Sequence, residues 1–483
     1  MQEFINLLLC SCGAIARVEN HDVHSNESSN ETIGEVQLMF QKQKVHEFHL
    51  LISKNNKKRS KFPAFYSNFV EFMSRLMESA NELQLLYSES EEEDSQISTS
   101  PLILDLLTWL SSLSVCKLRA LRYVSTLTLY LFQDYLTEHV VHLESNYLSK
   151  LSKQLAVEEK KKRPNAKAVE KLESAIEEVQ SSKIVIQSII DNIIKICFVH
   201  RFKDVDASLR CTSMIHLSNW IKNYPEYFLK VTFLKYFGWL LSDLSSEVRL
   251  HILKALPQLF VKNQNKYVDN SAVRQFFERF KERILEISLK DENLEVRISA
   301  VHVLVEVVSL GYLEESESLE ITNLIFDDNE VKITSHSKNS RLLAAVAKFF
   351  SQVVDDRCES FTKNHEILDE AVYGVDATSV VKIGVFTRLL NESLLLHFQR
   401  VTNLEPEAKI HILFQASEFL YPYFSTLLAD FCQILVYDGE YDHPSMQRES
   451  REDDEETMED DVKLLLPNEI NSIVLYITTL HGL

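Results

Sequence analysis

A short pattern recurs along this chain, and it limits the fold more than any other feature of the sequence. Each copy has a polar break, an arginine that usually follows an aliphatic residue, and then apolar residues at helical spacing. The arginines of the five copies are Arg119, Arg210, Arg249, Arg297 and Arg341. They are separated by 91, 39, 48 and 44 residues. All but the first interval fit the roughly 40 to 47 residues of HEAT-type helical pairs.

The repeat predicts an all-α chain, because one helical pair cannot bury its apolar face alone and neighbouring pairs must stack into a solenoid. Composition agrees with this fold. Only 8 glycines and 9 prolines among 483 residues leave few signals for tight turns, and 45% apolar residues suffice for a continuous core. We expect the aspartates and arginines of the pattern to cap helices or to form hydrogen bonds between repeats.

The long first interval, between Arg119 and Arg210, contains an insertion. Helical patterns run from about Leu136 to Lys162 and from about Ala166 to Cys197, with Pro164 and Asn165 between them. The second pattern has an apolar stripe at a spacing of about 3.6 residues. The stripe consists of Val169, Leu172, Ile176, Val179, Ile186, Ile190, Ile193 and Ile194. The insertion is therefore predicted to be a long antiparallel helical hairpin.

The net charge of −20 is concentrated in two segments. Twelve acidic residues and two arginines lie between Asp438 and Asp461, and five acidic residues lie between Glu89 and Asp94. These segments are polar and are expected to be disordered loops. The remainder is nearly neutral, so the overall acidity does not exclude a nucleic-acid partner.

These patterns divide the chain into six predicted segments. They are an N-terminal helical region at 1–133 with an acidic loop near 88–98, the hairpin at 134–197, HEAT-like helices at 198–310, further HEAT-like helices at 311–437, the acidic loop at 438–461, and the start of a truncated helical repeat at 462–483. No apolar run reaches the ~18 residues of a membrane span. The seven cysteines lack paired spacing, which is typical of reduced thiols in an intracellular protein.

Several segments resemble the SA-type, or stromalin, subunits of cohesin. The segments with this resemblance are Val115–Leu127, Phe198–Asp204, Trp220–Pro225, Phe233–Trp239 and Glu247–Leu250. The last four are similar to the stromalin conservative domain, so the 198–310 segment is identified with it. The Pro-Glu-Tyr-Phe segment after Tyr224 favours a fungal-type member, and the sequence is expected to be the amino-terminal half of such a subunit.

The resemblance implies a non-catalytic nuclear and chromosomal scaffold. Its expected partners are double-stranded DNA, the kleisin subunit of cohesin, and the regulators and loader of the complex, with no cofactor, small-molecule substrate or membrane. A protein-only HEAT adaptor in nuclear transport or trafficking is the alternative. A catalytic subunit is a third class, but the chain has no G-x-x-x-x-G-K-[ST], G-x-G-x-x-G or H-E-x-x-H motif and no evident metal site.

Basic clusters are the candidate DNA contacts. The run at the hairpin turn could bind DNA phosphates without reading the base sequence. Alternatively, it could be a solvated helix end, where the helix dipole stabilises lysines. The family resemblance favours DNA. The candidate residues are Lys160, Lys161, Lys162, Arg163 and Lys167 at the turn, Lys57, Lys58 and Arg59 before a helix near Phe62, and Lys338 and Arg341 further along.

A second candidate surface combines cations with aromatic rings. Phe233, Tyr236, Phe237 and Trp239 span two faces of one helix, so some of these rings are expected to be exposed. The resemblance implies that a surface formed by Lys203, Lys235, Tyr236 and Trp239 binds aromatic-containing regulator peptides. A packed core helix is the alternative interpretation.

Overall fold

The computed structural model describes residues 1–23, 29–44, 47–55, 58, 60–89, 97–161, 165–260, 271–326, 336–364, 371–372, 375–400 and 406–436. The predicted segments 438–461 and 462–483 lie outside these residues, as does most of the acidic loop near 88–98. The chain divides into two compact units, Met1–Tyr236 and Phe237–Leu483. Their boundary falls within the predicted segment 198–310. None of the described helices combines the length and apolarity needed to cross a lipid bilayer.

Thirteen described helices begin in the first unit. They are α1 Gln2–Ser11, α2 Asn20–Val23, α3 Ser29–Lys42, α4 His49–Asn55, α5 Phe65–Glu82, α6 Pro101–Ser114, α7 Arg119–His142, α8 Ser149–Glu159, α9 Ala166–Ile193, α10 Val199–Arg201, α11 Ala207–Asn223, α12 Pro225–Phe228 and α13 Val231–Leu240. Two π-helical segments, Leu143–Leu148 and Ile194–Phe198, join α7 to α8 and α9 to α10. Strands β1 Tyr87–Glu89 and β2 Ile97–Thr99 pair antiparallel, with Tyr87 opposite Thr99.

Helix α7 is the centre of the first unit. Most of its residues are buried, and it packs against α1, α5, α6, α9 and α11. An aromatic cluster joins it to its neighbours: the ring centroid of Trp220 lies 5.5 Å from that of Tyr130 and 5.8 Å from that of Phe198. These three side chains are fully buried, so they anchor the hairpin base in the core.

The hairpin's first arm is longer than the sequence pattern predicted. It begins with α7 at Arg119, rather than near Leu136, and continues through the π-helical segment to the end of α8 at Glu159. The predicted boundary between residues 133 and 134 therefore falls inside α7. Because α7 is buried around most of its circumference, its sequence has no polar break to mark where the core ends and the hairpin begins.

The second unit contains eight further described helices. They are α14 Ser246–Phe260, α15 Ser271–Lys290, α16 Leu294–Ser309, α17 Glu315–Thr322, α18 His336–Asn364, α19 Ala377–Arg400, α20 Pro406–Phe424 and α21 Leu428–Val436. Short 3-10 turns occupy Asn323–Phe326 and Ser425–Leu427, and β3 Ala371–Val372 pairs antiparallel with β4 Val375–Asp376.

Helices of the second unit stack in chain order. Helix α16 packs against α14, α15 and α18, and α18 in turn packs against α17, α19 and α20. Each helix thus buries its apolar residues against near neighbours in the sequence, as repeat proteins do. The predicted all-α, HEAT-like class is confirmed.

Arginines of the repeated pattern tie successive repeats together. Within the second unit, Arg249 forms two bonds with Asp291, at 2.8 Å from Nε and 2.9 Å from Nη2, and Nη1 donates to the carbonyl of Asp243 at 2.7 Å. Within the first unit, Arg119 donates to Asp206 from Nε at 2.5 Å, and Asp206 caps the start of α11. The expected roles of these residues, as helix caps and bonds between repeats, are confirmed.

Candidate nucleic-acid and peptide surfaces

The hairpin consists of a well-packed base and a less buried distal half. At the base, α9 packs against α7 and buries Val185, Ile186, Ile189, Ile190 and Ile193 completely or almost completely. Further out, α9 packs against α8, which has no buried residue. The stripe positions Val169, Leu172, Ile176 and Val179 are only half-buried there.

The described cations of the hairpin turn are all exposed. Lys160 is the C-cap residue directly after α8, Lys161 follows it, and Lys167 lies in the first turn of α9. Lys161 pairs with Glu158, and this hydrogen bond holds the pKa of the Glu158 carboxyl below its usual value. Lys162 and Arg163 lie outside the described residues. Lys160 is placed where the negative end of the helix dipole favours a cation.

The cluster before α5 is only partly described, since Lys57 and Arg59 lie outside the described residues. Lys58 is exposed. The neighbouring Lys61 lies 3.3 Å from a carboxylate oxygen of Glu47. Hydrogen bonds from Lys61 and then His49 lower the pKa of Glu47. One cation of this loop therefore already has an acidic partner.

The third cluster lies in α18 of the second unit. The side chain of Lys338 is outside the described residues. Arg341 is exposed but forms a two-pronged ion pair with Glu295 of the preceding repeat, with Nη2 3.1 Å from Oε2. Arg341 thus extends the series of inter-repeat arginines, and its charge is already partly neutralised.

The structure places the four candidate peptide-binding residues in different surroundings. Lys203 is exposed, and the ammonium nitrogen of Lys235 lies 5.1 Å from the centroid of the Tyr236 ring. Tyr236 itself is 7% exposed and packs on Phe198 and Phe202, with centroids 5.1 and 4.6 Å away. Burial raises the pKa of its hydroxyl. Its ring is therefore mainly a core element of the first unit.

Trp239, in the second unit, has 46% of its surface exposed, whereas Phe237 is fully buried. The expectation that some aromatic rings of α13 would be exposed is confirmed for this tryptophan. Trp109 and Trp220, the other two tryptophans of the chain, are buried. Trp239 is therefore a large aromatic side chain that is partly exposed.

Three exposed lysines of the hairpin were missed by the sequence analysis. Lys150 and Lys153 lie on α8, and Lys171 lies one turn after Lys167 on α9. The signal was present in their helical spacing from the cations of the turn, but a search for consecutive basic residues does not detect a charged stripe whose members are three or four positions apart.

The fold and these surfaces indicate the general class of the protein. The chain is a helical-repeat protein with exposed lysines at the hairpin turn and an exposed tryptophan on α13, an arrangement typical of a scaffold.

Comparison with known proteins then identifies the family. The profile of the STAG domain matches residues 52–175, and that of the stromalin conservative domain matches residues 203–281. Cohesin subunit SCC3 of Saccharomyces cerevisiae is 57% identical over 494 residues, which cover 100% of this chain and 43% of that protein. Cohesin subunit psc3 of Schizosaccharomyces pombe is 26% identical over 80% of this chain and 37% of its own length.

A solved structure of cohesin subunit Scc3 from Z. rouxii superposes with a TM-score of 0.86 at 63% identity, covering 100% of this chain and 51% of that one. The chain belongs to the stromalin family of cohesin subunits, as the resemblance predicted. It spans less than half the length of the curated relatives described above. Their names describe subunits of a complex, in agreement with the prediction that the chain is not an enzyme.

Proposed function

We propose that this chain is a non-catalytic scaffold of cohesin that binds double-stranded DNA through its phosphates and supports sister-chromatid cohesion and chromosome segregation in the nucleus. Its partners are the kleisin subunit and the regulators and loader of the complex, and it uses no cofactor. Membership of the stromalin family supports the assignment to cohesin. The observation that supports DNA as a ligand is the set of exposed cations around the hairpin turn.

Physical chemistry favours an anionic partner at this turn. Neighbouring like charges on a helix destabilise it by a few tenths of a kcal/mol per pair, which an anion would relieve. Duplex DNA presents one phosphate charge per ~1.7 Å of its axis, so a cluster of four or five cations can contact several phosphates without recognising a base. The clusters at Lys58 and at Arg341 contribute less, because acidic partners already occupy Lys61 and Arg341.

The experiment is fluorescence anisotropy of a labelled duplex at several salt concentrations. The variant Lys160→Glu/Lys161→Glu/Lys162→Glu/Arg163→Glu is compared with the parent chain. We expect binding that weakens steeply with salt, by ~0.9 log units per log unit of salt for each phosphate contacted, and that is lost in the variant. Absence of DNA binding by the parent chain would instead support the protein-only adaptor.

Peptide docking at α13 is the second part of the proposal. It is supported by the exposed indole of Trp239, which suits a peptide that carries aromatic side chains. Lys203, an exposed cation of the first unit, is proposed separately as a contact for acidic side chains of a peptide. Tyr236 is expected to support the surface through Lys235 rather than to anchor a peptide.

The chain's own fluorescence provides the test of this surface, since Trp239 is the exposed one of its three tryptophans. A synthetic peptide with two phenylalanines among glutamates is titrated in, and quenching by acrylamide is measured. Protection of the exposed fluorescence that disappears in Trp239→Phe would support docking. Unchanged quenching at saturating peptide would contradict docking of this kind of peptide.

A further inference from the structure

The outer face of α8 is the most uniform positively charged surface among the described parts of the hairpin. Lys150, Lys153 and Lys160 are all exposed and are separated by three and seven residues. At 3.6 residues per turn these positions fall within an arc of about 80°. They extend for about 15 Å along the helix, at a rise of 1.5 Å per residue.

This lysine face points away from the second arm. The half-buried leucines of the first arm in this region are Leu148, Leu151 and Leu155, and α8 packs against α9. These leucines lie about 100° or more around the helix from Lys150. The lysines are consequently not needed to hold the two arms together, and their positions are free to serve a partner.

Charge in the distal half is not balanced locally. Residues 149–171 contain eight lysines and arginines and three acidic residues, in a chain whose net charge is −20. Within the described residues, Lys150, Lys153, Lys160, Lys167 and Lys171 form no ion pair. Nearer the base the pattern differs, because Lys183 is ion-paired with Glu144 at 2.5 Å. Apart from Lys195 at the base, the described hairpin lysines without an ion pair therefore lie in the distal half.

We propose that double-stranded DNA lies along the lysine face of α8, contacted by Lys150 and Lys153 as well as by the turn, and does not touch the hairpin only at its tip. This inference rests on the proposed DNA-binding function and assigns it two further contact residues. A track of about 15 Å matches several phosphates of a duplex, whose charges recur every 3.4 Å along each strand. The site reads no sequence, because exposed ammonium groups on a convex helix reach phosphates rather than base edges.

The decisive variant is Lys150→Glu/Lys153→Glu, which leaves every residue of the turn in place. Its matched control is Lys117→Glu/Lys222→Glu, which makes the same charge change at two exposed lysines of the first unit outside the distal half of the hairpin. Both are measured against the parent chain with the same labelled duplex. A further variant, Lys150→Gln/Lys153→Gln, removes the two charges without introducing acids, and circular dichroism checks that each variant is folded.

If DNA follows the lysine face, Lys150→Glu/Lys153→Glu weakens binding by at least about tenfold at 0.1 M salt, and the slope of log affinity against log salt falls by about 1.8 for two lost phosphates. The glutamine variant shows the same loss of slope, and the affinity of the control stays within about twofold to threefold of that of the parent.

Unchanged binding in the face variants, together with loss of binding in the turn variant, would overturn the inference and leave the tip as the contact. Equal losses in the face variant and the control would also overturn it, since net charge alone would then explain them. Unchanged binding in both the face and turn variants would contradict the proposed DNA contact at the hairpin itself.

Discussion

The base and the distal half of the hairpin belong to the same two arms but are stabilised differently. The base has fully buried isoleucines and ion pairs at the points where the first arm begins and the second arm ends. The distal half has half-buried apolar positions and unpaired lysines on its outer face. The comparison indicates that the base fixes the position of the hairpin, whereas the distal half carries the surface of the proposed DNA contact.

The largest effect is expected from Asp204, at the end of the second arm. Its carboxylate is almost fully buried and lies 2.9 Å from Nε of Arg122 and 2.5 Å from Nη1 of Arg201. Removing one member of a buried ion pair typically costs about 3–5 kcal/mol, because the remaining charge is left buried without a partner. Asp204→Ala should therefore destabilise the first unit by an amount of this order.

Hydrogen exchange measured peptide by peptide can test this prediction, since the two units need not unfold together. The loss of protection should be concentrated in α7 and α11. Glu158→Ala, which removes the exposed pair with Lys161 at the turn, is the matched variant and should cause a much smaller change. If the two variants had similar effects, the proposed difference between base and distal half would be wrong.

Packing provides the second comparison along one helix. Ile190 is fully buried at the base, whereas Ile176 is half-buried in the distal half. Ile190→Ala should cost about 2–5 kcal/mol, the usual range for truncating a core aliphatic side chain. Ile176→Ala should cost clearly less, because part of its surface already contacts water. Urea denaturation followed by the fluorescence of the buried Trp109 and Trp220 gives both values for the first unit, with Trp239→Phe as the background to remove the exposed signal.

The isoleucine stripe shows what the sequence could predict. Its 3.6-residue spacing correctly predicted a long second arm that packs through one face. It could not predict the decrease in burial from Ile190 to Ile176, because both ends of the stripe consist of aliphatic residues. Burial depends on whether the buried helix α7 lies opposite, and this is a tertiary property.

The basic residues illustrate a different limit. Consecutive cations at 160–163 are visible in the sequence, but the pairing of Arg341 with Glu295 and of Lys61 with Glu47 depends on contacts between distant residues. In the same way, the sequence favoured exposed aromatics on α13 without distinguishing Trp239 from the buried Tyr236. Which side of a helix meets the core is decided by its neighbours.

Acid provides a third test of the base. Burial raises the pKa of Asp206, but hydrogen bonds from Arg119 and Ser208 outweigh that effect and lower the pKa overall. A carboxyl whose pKa is lower in the folded chain adds stability above its unfolded pKa, and this contribution is lost as pH falls through the folded value. The loss should therefore occur below about pH 4.

Asp206→Asn is the appropriate variant because asparagine also caps helices well. The variant should be less stable than the parent at pH 7, by about 1 kcal/mol, and the difference should shrink as the pH approaches 3. The comparison is made by urea denaturation at each pH. A difference that stays constant with pH would mean that the Arg119 pair contributes nothing through the charge of Asp206.

The smallest effect on stability is expected from the lysines of the distal face. Lys150→Gln/Lys153→Gln should change the free energy of unfolding by no more than about 0.5 kcal/mol, as is usual for exposed positions. Removing two like charges that are three positions apart can even stabilise α8 slightly, since each repulsive pair costs only a few tenths of a kcal/mol. Thermal denaturation in low and high salt tests this: the melting temperatures of the variant and the parent should converge at high salt, where their charges are screened.

A large loss of stability would show that the lysines have a structural role. Reduced DNA binding by the same variant would then no longer be evidence for a contact. Retained stability allows that binding measurement to report on the surface alone.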